Sequence, residues 1–400
     1  MAEPGPESAD RPEGAPPYFS FGVIGDVQHS TKPNGPGPWG TIRYFQQSLP
    51  HLQQAIEEWG REEPRPKFVL QLGDIIDRSN GRLGRSQEAL DTVLKDIEEA
   101  DIPFHHVWGN HELYNFDRDF LRQSKLNTSG MQDNPLGGGS HDEETSSPPD
   151  YYAYHFSPHS KFRVIVVDTY DLSLIGRKTD SQGYRDSIDF LERVEQENRG
   201  KDSNIHLVDF NGGLGSKQLS WLDKVLTYCD QHNERVIIAG HVPIHPKAKP
   251  SNCLAWNYKE ILRVIESHGS VVCYFAGHDH GGGYHRDSHG IHHVTMEGVV
   301  ESPPDSNAFG TLDVYEEGMV LRGRGRVKSR VLLHRGTRPA CCCLPARPST
   351  QGDGCIGQTF IVRTSALGPH VVIAPGFMVH ACAINGTGNV LEGFGPSESG

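Results

Sequence analysis

Several features are missing from this chain of 400 residues, and each absence narrows its class. No run of about 18 apolar residues occurs, so the sequence predicts no membrane-spanning helix. The N-terminal stretch MAEPGPESADRPEGAPP has no apolar core segment, so no signal peptide is expected. Positive charge is in deficit, because 38 Lys and Arg face 51 Asp and Glu and the net charge is −13. That balance argues against a general nucleic-acid binder, since phosphate backbones attract a surplus of Lys and Arg.

Cysteine is scarce over most of the chain. Of eight cysteines, only Cys229, Cys253 and Cys273 lie before residue 340. Without a secretory signal, these three are expected to be reduced thiols of a cytoplasmic protein. A small anionic substrate stays possible despite the negative net charge, because bound metal ions can supply positive charge locally.

Strand-like and helix-like stretches alternate from residue 18 to residue 335, the segment expected to form the catalytic domain. Apolar runs such as FSFGVI, KFRVIVV and VVCYFAG are separated by amphipathic patterns such as RSQEALDTVLKDIEEA and SKQLSWLDKVLTYCDQH. This alternation indicates an α/β fold. Residues 1–17 are expected to be a disordered lead. Residues 336–400 contain CCC but no Trp, Tyr or Lys, and are expected to be an atypical, poorly ordered tail.

Five polar motifs each follow an apolar strand and begin with glycine, which permits a sharp turn. They are GDVQ with Asp26 and Gln28, GDIID with Asp74 and Asp77, GNHE with Asn110 and His111, GHVP with His241, and GHDH with His278 and His280. Carboxylate, amide and imidazole groups suit Mn²⁺, Mg²⁺, Fe or Zn²⁺. The pattern therefore predicts two adjacent divalent ions bridged by Asp74. Asp77 is expected to support its loop.

Two further pairs of histidines lie on strand-like stretches outside these motifs. They are His105 with His106 and His292 with His293. Side chains alternate across a strand, so one member of each pair could face the cleft. The favoured interpretation gives them roles in the core or at the surface.

The order of the five motifs resembles that of the metallophosphoesterase, or calcineurin-like, superfamily, whose pattern is D-x-H, G-D-x-x-D, G-N-H-E/D, G-H and G-H-x-H. The resemblance covers residues 19 to about 330. It implies two mixed β-sheets packed as a sandwich and flanked by helices. Gln28 stands where the superfamily pattern has histidine, and this D-x-Q variant is similar to one manganese-dependent branch. Stretches such as CLAWNY and FAGHDHGGGY also look like that branch.

By this resemblance, the ligands divide between two ions, with Asp26, Gln28, Asp74 and His280 at one and Asp74, Asn110, His241 and His278 at the other. His111 would lie at the phosphate, where it could protonate the leaving oxygen or stabilise phosphoryl charge. Candidate substrate contacts are Trp39, Arg43, Phe210, Asn211 and Cys253, with ordinary packing or a surface charge as the alternative. Mn²⁺ is the expected ion and Mg²⁺ the alternative, since a neutral oxygen from Gln28 favours harder ions.

The resemblance implies a monomeric hydrolase of a small nucleoside diphosphate. Expected substrates are ADP-ribose, giving AMP and ribose 5-phosphate, and CDP-alcohols such as CDP-choline, giving CMP and a phospho-alcohol. Two alternatives stay open. The same metal centre could serve a phosphomonoesterase or a cyclic-nucleotide phosphodiesterase, because it contacts only a phosphoryl group. The atypical tail also allows an inactive isoform.

Overall fold

A computed structural model describes residues 16–37, 40–133, 150–197, 205–249 and 252–335, together with the two-residue strands 383–384 and 390–391. The predicted lead (1–17) lies almost wholly outside the described residues. The predicted tail (336–400) does too, apart from those two strands, which pair with each other. Trp39 also lies outside them. Within the described ranges, no helix combines the length and the apolar character that crossing a bilayer requires.

The described ranges up to residue 335 contain fourteen strands and eight α-helices. The strands are β1 (Phe19–Ile24), β2 (Gly35–Pro36), β3 (Ile42–Arg43), β4 (Val69–Gln71), β5 (Phe104–His106), β6 (Tyr154–His159), β7 (Phe162–Val166), β8 (Arg235–Ala239), β9 (Val271–Ala276), β10 (Gly281–Arg286), β11 (His292–Glu297), β12 (Ala308–Val314), β13 (Gly318–Gly325) and β14 (Arg330–Leu333). The helices are α1 (Phe45–Arg61), α2 (Ser79–Arg82), α3 (Ser86–Glu99), α4 (Asn110–Asn115), α5 (Arg118–Gln123), α6 (Gln182–Glu197), α7 (Ser216–His232) and α8 (Tyr258–Glu266). Two 3₁₀ turns span Ser129–Met131 and Val299–Glu301.

Two six-stranded mixed sheets form the body of the fold. Their strand orders are β14-β13-β12-β1-β4-β5 and β10-β11-β9-β8-β7-β6. Strands β1, β4 and β5 run parallel in the first sheet, and β7, β8 and β9 run parallel in the second. The carboxyl ends of parallel strands meet at one edge of a sheet, which is where open α/β folds form their clefts. This topology brings the five motifs together at the carboxyl edge of the two sheets.

The two sheets pack on each other through aromatic side chains. Phe21 of β1 meets Phe275 of β9 with ring centroids 6.3 Å apart, and Phe19 meets Phe162 of β7 at 5.6 Å. Both pairs are edge-to-face, the arrangement that the aromatic quadrupole favours. All four rings are buried. The predicted sandwich of two mixed sheets is confirmed.

Candidate active site

Eight polar residues from the five motifs meet at the carboxyl edge of the two sheets. The first sheet supplies Asp26, Gln28, Asp74, Asn110 and His111, and the second supplies His241, His278 and His280. All eight are buried, with at most 9 % of each residue exposed. Ionisable groups that are buried in this way need partners that compensate for lost hydration.

The backbone at these positions is unusual. A left-handed φ occurs at Asp26 (53°), Gln28 (46°), Asp74 (57°) and His278 (69°). Side-chain-bearing residues rarely adopt this conformation, and strain of this kind concentrates at functional sites. The remaining non-glycine example among the described residues, Asn233, follows the end of α7. Four of the five examples therefore coincide with predicted ligands.

The glycines before the ligands mainly allow close approach. A Cβ at Gly109 would lie 2.2 Å from Asp74 Oδ1, and one at Gly73 would lie 2.4 Å from His241 Nδ1. Contacts that short are not tolerated, so any larger residue at these positions would displace Asp74 or His241. The expectation that glycine supplies the turn holds at Gly73, where φ is 94°. In GDVQ and GHDH the polar residues Asp26, Gln28 and His278 adopt the left-handed conformation themselves, whereas no residue of GNHE or GHVP does so.

Three histidines each have one ring nitrogen engaged by a fixed acceptor: His241 Nδ1 with Leu72 O at 2.7 Å, His280 Nδ1 with Glu301 Oε1 at 2.9 Å, and His278 Nε2 with Asn211 Oδ1 at 2.8 Å. Since a carbonyl or carboxylate oxygen can only accept, the engaged nitrogen carries the ring proton. The other nitrogen of each neutral ring then presents a lone pair to the cleft. This is the arrangement by which proteins orient metal-binding imidazoles.

These free nitrogens converge on oxygen donors and on one another. His241 Nε2 lies 3.2 Å from His278 Nδ1, 3.2 Å from Asn110 Oδ1 and 3.5 Å from Asp74 Oδ2. Asp74, His241 and His278 place one ligand atom each within 4.8 Å of one another. When both rings are neutral, these two facing lone pairs need a positive charge between them, which is either a metal ion or the second proton of His241. The donor set of oxygens and imidazoles therefore fits a divalent ion such as Mn²⁺, Fe²⁺ or Zn²⁺.

The electrostatics of the cleft agree with this fit. Burial alone would lower the pKa of His241, but the carboxylate of Asp74 outweighs it and raises that pKa to about 9. His280 behaves in the same way, with burial opposed by Asp26 and a resulting pKa of about 9. Burial and the neighbouring His241 hold the pKa of His278 well below its usual range. The buried carboxylates thus create a demand for positive charge, which a divalent ion satisfies.

Comparison with known proteins shows the family of this chain. The profile of the calcineurin-like phosphoesterase family matches residues 19–282. The chain belongs to that family. Proteins named manganese-dependent ADP-ribose/CDP-alcohol diphosphatase are similar to it. The protein from Bos taurus is 47% identical over 336 residues, 82% of this chain and 98% of the relative. The one from Homo sapiens is 45% identical over 345 residues, covering 85% and 99%.

A solved structure supports the same assignment. The crystal structure of a dimetal phosphatase from Danio rerio is 42% identical in sequence and superposes with a TM-score of 0.71. The match covers 80% of this chain and 99% of that chain. The metallophosphoesterase fold predicted from the order of the motifs is therefore confirmed.

His111 lies beside the predicted ligands, with its proton directed into the cleft. The Arg78 backbone N–H donates to His111 Nδ1 at 2.9 Å, so in the neutral ring the proton is on Nε2. Nε2 lies 3.7 Å from Asp74 Oδ2. The His111 backbone N–H donates to Asp74 Oδ1 at 2.8 Å, which fixes the spacing of the two residues. His111 can thus donate a proton without being a ligand.

The side-chain amide of Gln28 is oriented differently from the expectation that its oxygen faces an ion. Its Nε2 lies 3.1 Å from Asp74 Oδ2 and 3.0 Å from His280 Nε2, on the ligand side. Its Oε1 accepts a hydrogen bond from Arg43 Nη1 at 3.1 Å. Arg43 also lies 3.7 Å from Asp77 Oδ2, while Asp77 Oδ1 accepts from the backbone N–H of Ser79 at 2.9 Å. The predicted loop-supporting role of Asp77 agrees with this geometry, and Gln28 as a ligand stays a prediction.

The remaining predicted substrate contacts lie on the His278 side. The Phe210 ring is 5.8 Å from the His278 ring. Asn211 is fully buried, and besides accepting from His278 its amide nitrogen donates to the carbonyl oxygens of His206 and Asn252. Its amide is therefore committed to protein partners and orients His278. Cys253, next in the chain to Asn252, is buried. Of these three residues, only Phe210 is partly exposed, as a contact with the substrate requires.

Two acidic residues important to the site were not predicted. Glu112, the last residue of GNHE, accepts hydrogen bonds from the backbone N–H groups of Asp74 at 2.8 Å, Ile75 at 2.6 Å and Gly109 at 2.6 Å. It thereby ties two ligand-bearing turns together. Its place in the motif was a usable signal. Glu301, the partner of His280, belongs to none of the five motifs, although it lies in the stretch HHVTMEGVVES, which resembles the manganese-dependent branch.

Proposed function

We propose that this phosphoesterase hydrolyses the diphosphate linkage of ADP-ribose and of CDP-alcohols, using two divalent ions of which Mn²⁺ is the first choice. One observation carries the proposal. A chain with this donor set is 45% and 47% identical, over almost the whole length of two relatives, to proteins named for these substrates and for manganese. A monomer in the cytoplasm stays our prediction for its working state.

The proposed ligands follow the two sheets. Asp26, Gln28, Asp74 and His280 would hold one ion, and Asp74, Asn110, His241 and His278 the other. Asp74 is central in this scheme because its Oδ2 lies within 3.7 Å of His111, His241 and Gln28 nitrogens. When bound, two ions supply Lewis-acid polarisation of the phosphoryl group and a lowered pKa of water.

The side chains around the ions have proposed roles of their own. Hydrolysis adds water across the P–O–P linkage, so one phosphorus gains the hydroxyl group and the other phosphate leaves. The Nε2–H of His111 is suited to donate to that leaving oxygen or to the phosphoryl oxygens. The Arg43 guanidinium, 13 % exposed beside Gln28, is suited to bind the phosphate that is not attacked. Phe210 is suited to contact the nucleoside.

Turnover of a substrate panel by the purified full-length chain tests this proposal. The panel is ADP-ribose, CDP-choline, p-nitrophenyl phosphate and 2′,3′-cAMP, each with Mn²⁺ and with Mg²⁺. We expect the highest kcat/KM for the two diphosphates with Mn²⁺, with AMP and ribose 5-phosphate as products of ADP-ribose. A higher kcat/KM for the monoester or the cyclic nucleotide would mean that the diphosphatase assignment is wrong. An Asp74→Asn preparation controls for contaminating phosphatases.

A further inference from the structure

Glu301 is a buried carboxylate that contacts two parts of the site at once. Its Oε1 accepts from His280 Nδ1 at 2.9 Å and from Thr41 Oγ1 at 2.8 Å, and its side chain is 8 % exposed. We propose that Glu301 is a positioning residue. It orients His280 for one ion, and it anchors the β2–β3 hairpin through Thr41, which lies just before β3. This inference rests on the two-ion function proposed above.

The first half of the inference concerns the ring of His280. Because Glu301 holds the Nδ1 proton, the Nε2 lone pair faces the cleft, 3.4 Å from Asp26 Oδ1. Without that acceptor the ring could rotate about its Cβ–Cγ bond or carry its proton on Nε2, and both changes remove the ligand atom. A carboxylate partner also makes the ligating nitrogen more basic. Loss of such a partner typically lowers metal affinity by about 10- to 100-fold.

The carboxylate is held in place by its own backbone. In the 3₁₀ turn Val299–Glu301, the backbone N–H of Val299 donates to Gly25 O at 3.2 Å and that of Val300 donates to Asp26 O at 3.0 Å. The turn is thus fastened directly to the first ligand-bearing strand end. A supporting group that is itself fixed keeps the ligand geometry within narrow limits.

The second half concerns the β2–β3 hairpin. The Gly37 N–H donates to Thr41 O at 2.7 Å, and the Thr41 hydroxyl donates to Glu301. At the end of the hairpin, Arg43 reaches Gln28 Oε1. The Thr41 hydroxyl is therefore one of several attachments of the hairpin to the site, beside Arg43 and the Tyr44 N–H, which donates to Val300 O at 2.6 Å. Its loss would loosen the hairpin and the Arg43 guanidinium but leave the bond between Glu301 and His280 intact.

The two halves predict different effects and can be separated by experiment. Variants Glu301→Ala, Glu301→Gln and Thr41→Val are made in the full-length chain and stripped of metal with EDTA. Mn²⁺ binding is then measured by calorimetry and by electron paramagnetic resonance, with the Tm in EDTA as a check of folding. We expect one of the two ions to bind about 10- to 100-fold more weakly to Glu301→Ala. Glu301→Gln should be intermediate, because its neutral carbonyl still accepts.

Thr41→Val is the matched control for the carboxylate. It should bind both ions as wild type does but show a raised KM for ADP-ribose. Wild-type Mn²⁺ affinity in both Glu301 variants overturns the inference, and so does a Thr41→Val variant that loses as much Mn²⁺ affinity as Glu301→Ala. If Glu301→Ala does not fold in EDTA, Glu301→Gln decides the question. A wild-type chain that binds fewer than two Mn²⁺ contradicts the proposed function itself, before any variant is compared.

Discussion

Two adjacent buried histidines on β5 predict a specific loss of stability in acid. His105 stacks on Phe156 with ring centroids 3.7 Å apart, and His106 Nδ1 lies 3.1 Å from Gln71 Oε1. Both are buried, in agreement with the core role expected for them. Burial, with a smaller contribution from His106, lowers the pKa of His105 to about 3. Burial lowers the pKa of His106 to about 4.

The sign of the effect follows from proton binding. In the unfolded chain the pKa of histidine is about 6.5. Between that value and the lowered values, the unfolded chain binds more protons than the folded protein, so acid favours unfolding. The free energy of unfolding should therefore be highest above about pH 7 and fall as the pH decreases through 6.5 towards 4. At pH 5 the free energy of unfolding is lower than its value above pH 7 by about 2 kcal/mol for each histidine.

Urea unfolding in EDTA, at pH 8 and at pH 5, measures this contribution without bound metal. From pH 8 to pH 5, the free energy of unfolding of His106→Gln should fall by about 2 kcal/mol less than that of the wild type, because the titrating group is gone. His232→Gln, at an exposed histidine of α7, is the matched control and should keep the wild-type difference. A His106→Gln variant that loses as much stability as wild type between the two pH values would refute the account of His106 as a neutral core residue.

The remaining predictions concern the site. Asp74→Asn should abolish turnover and leave a folded protein, since a neutral amide cannot balance the positive charge of two divalent ions. Near-wild-type turnover with both ions bound would contradict this. His111→Ala should keep Mn²⁺ binding and lower kcat by about 10²- to 10⁴-fold, the range of a general acid; a parallel loss of Mn²⁺ would make His111 a ligand. Gln28→His should raise the kcat/KM with Co²⁺ relative to Mn²⁺, because imidazole favours the later metal; an unchanged ratio would show that Gln28 does not touch the ion. Deleting residues 340–400 should leave catalysis intact, and a folded but inactive product would show that the tail contributes.

The predictable part of the fold is the part with strong apolar patterns. Continuous apolar runs identified β1, β7, β8 and β9, which lie inside the two sheets. Within the two large sheets, strands β6, β10 and β14 were not predicted, and they occupy three of the four edges, whereas the edge strand β5 was predicted from the run FHHVWGN; the short strands β2 and β3 were also not predicted. An edge strand is covered less completely, and β10 reads GGGYHR. Helix α6 was missed for a related reason, since only Ser187 and Phe190 of its 16 residues are buried.

The convergence of the motif residues was predictable because they follow parallel strands, whereas the residues around them were much less predictable. The carboxyl ends of the parallel strands lie at one edge of the fold. Residue type and position in the chain were therefore enough to predict that the motif residues meet there. The groups that orient the ligands come from unrelated parts of the chain. Glu301 reaches His280 across 21 residues, and Asn211 reaches His278 across 67. Only packing of the complete chain creates these pairs.

The amide of Gln28 has two chemically different ends, and its residue type does not decide which end faces the ligands. In the structure the nitrogen faces Asp74 and His280, while the oxygen accepts from Arg43. An amide nitrogen has no lone pair to offer a metal ion, so Gln28 becomes a ligand only when its amide turns by half a rotation. That turn places the amide N–H groups against the Arg43 guanidinium, where donor faces donor. Arg43 then keeps only the Asp77 carboxylate, 3.7 Å away, and a substrate phosphate is the strongest further acceptor that the proposed reaction brings. If Gln28 is a ligand and Arg43 binds phosphate, the two events would thereby be coupled, a link that a histidine at position 28 would not provide, because imidazole offers no carbonyl oxygen for Arg43 to hold.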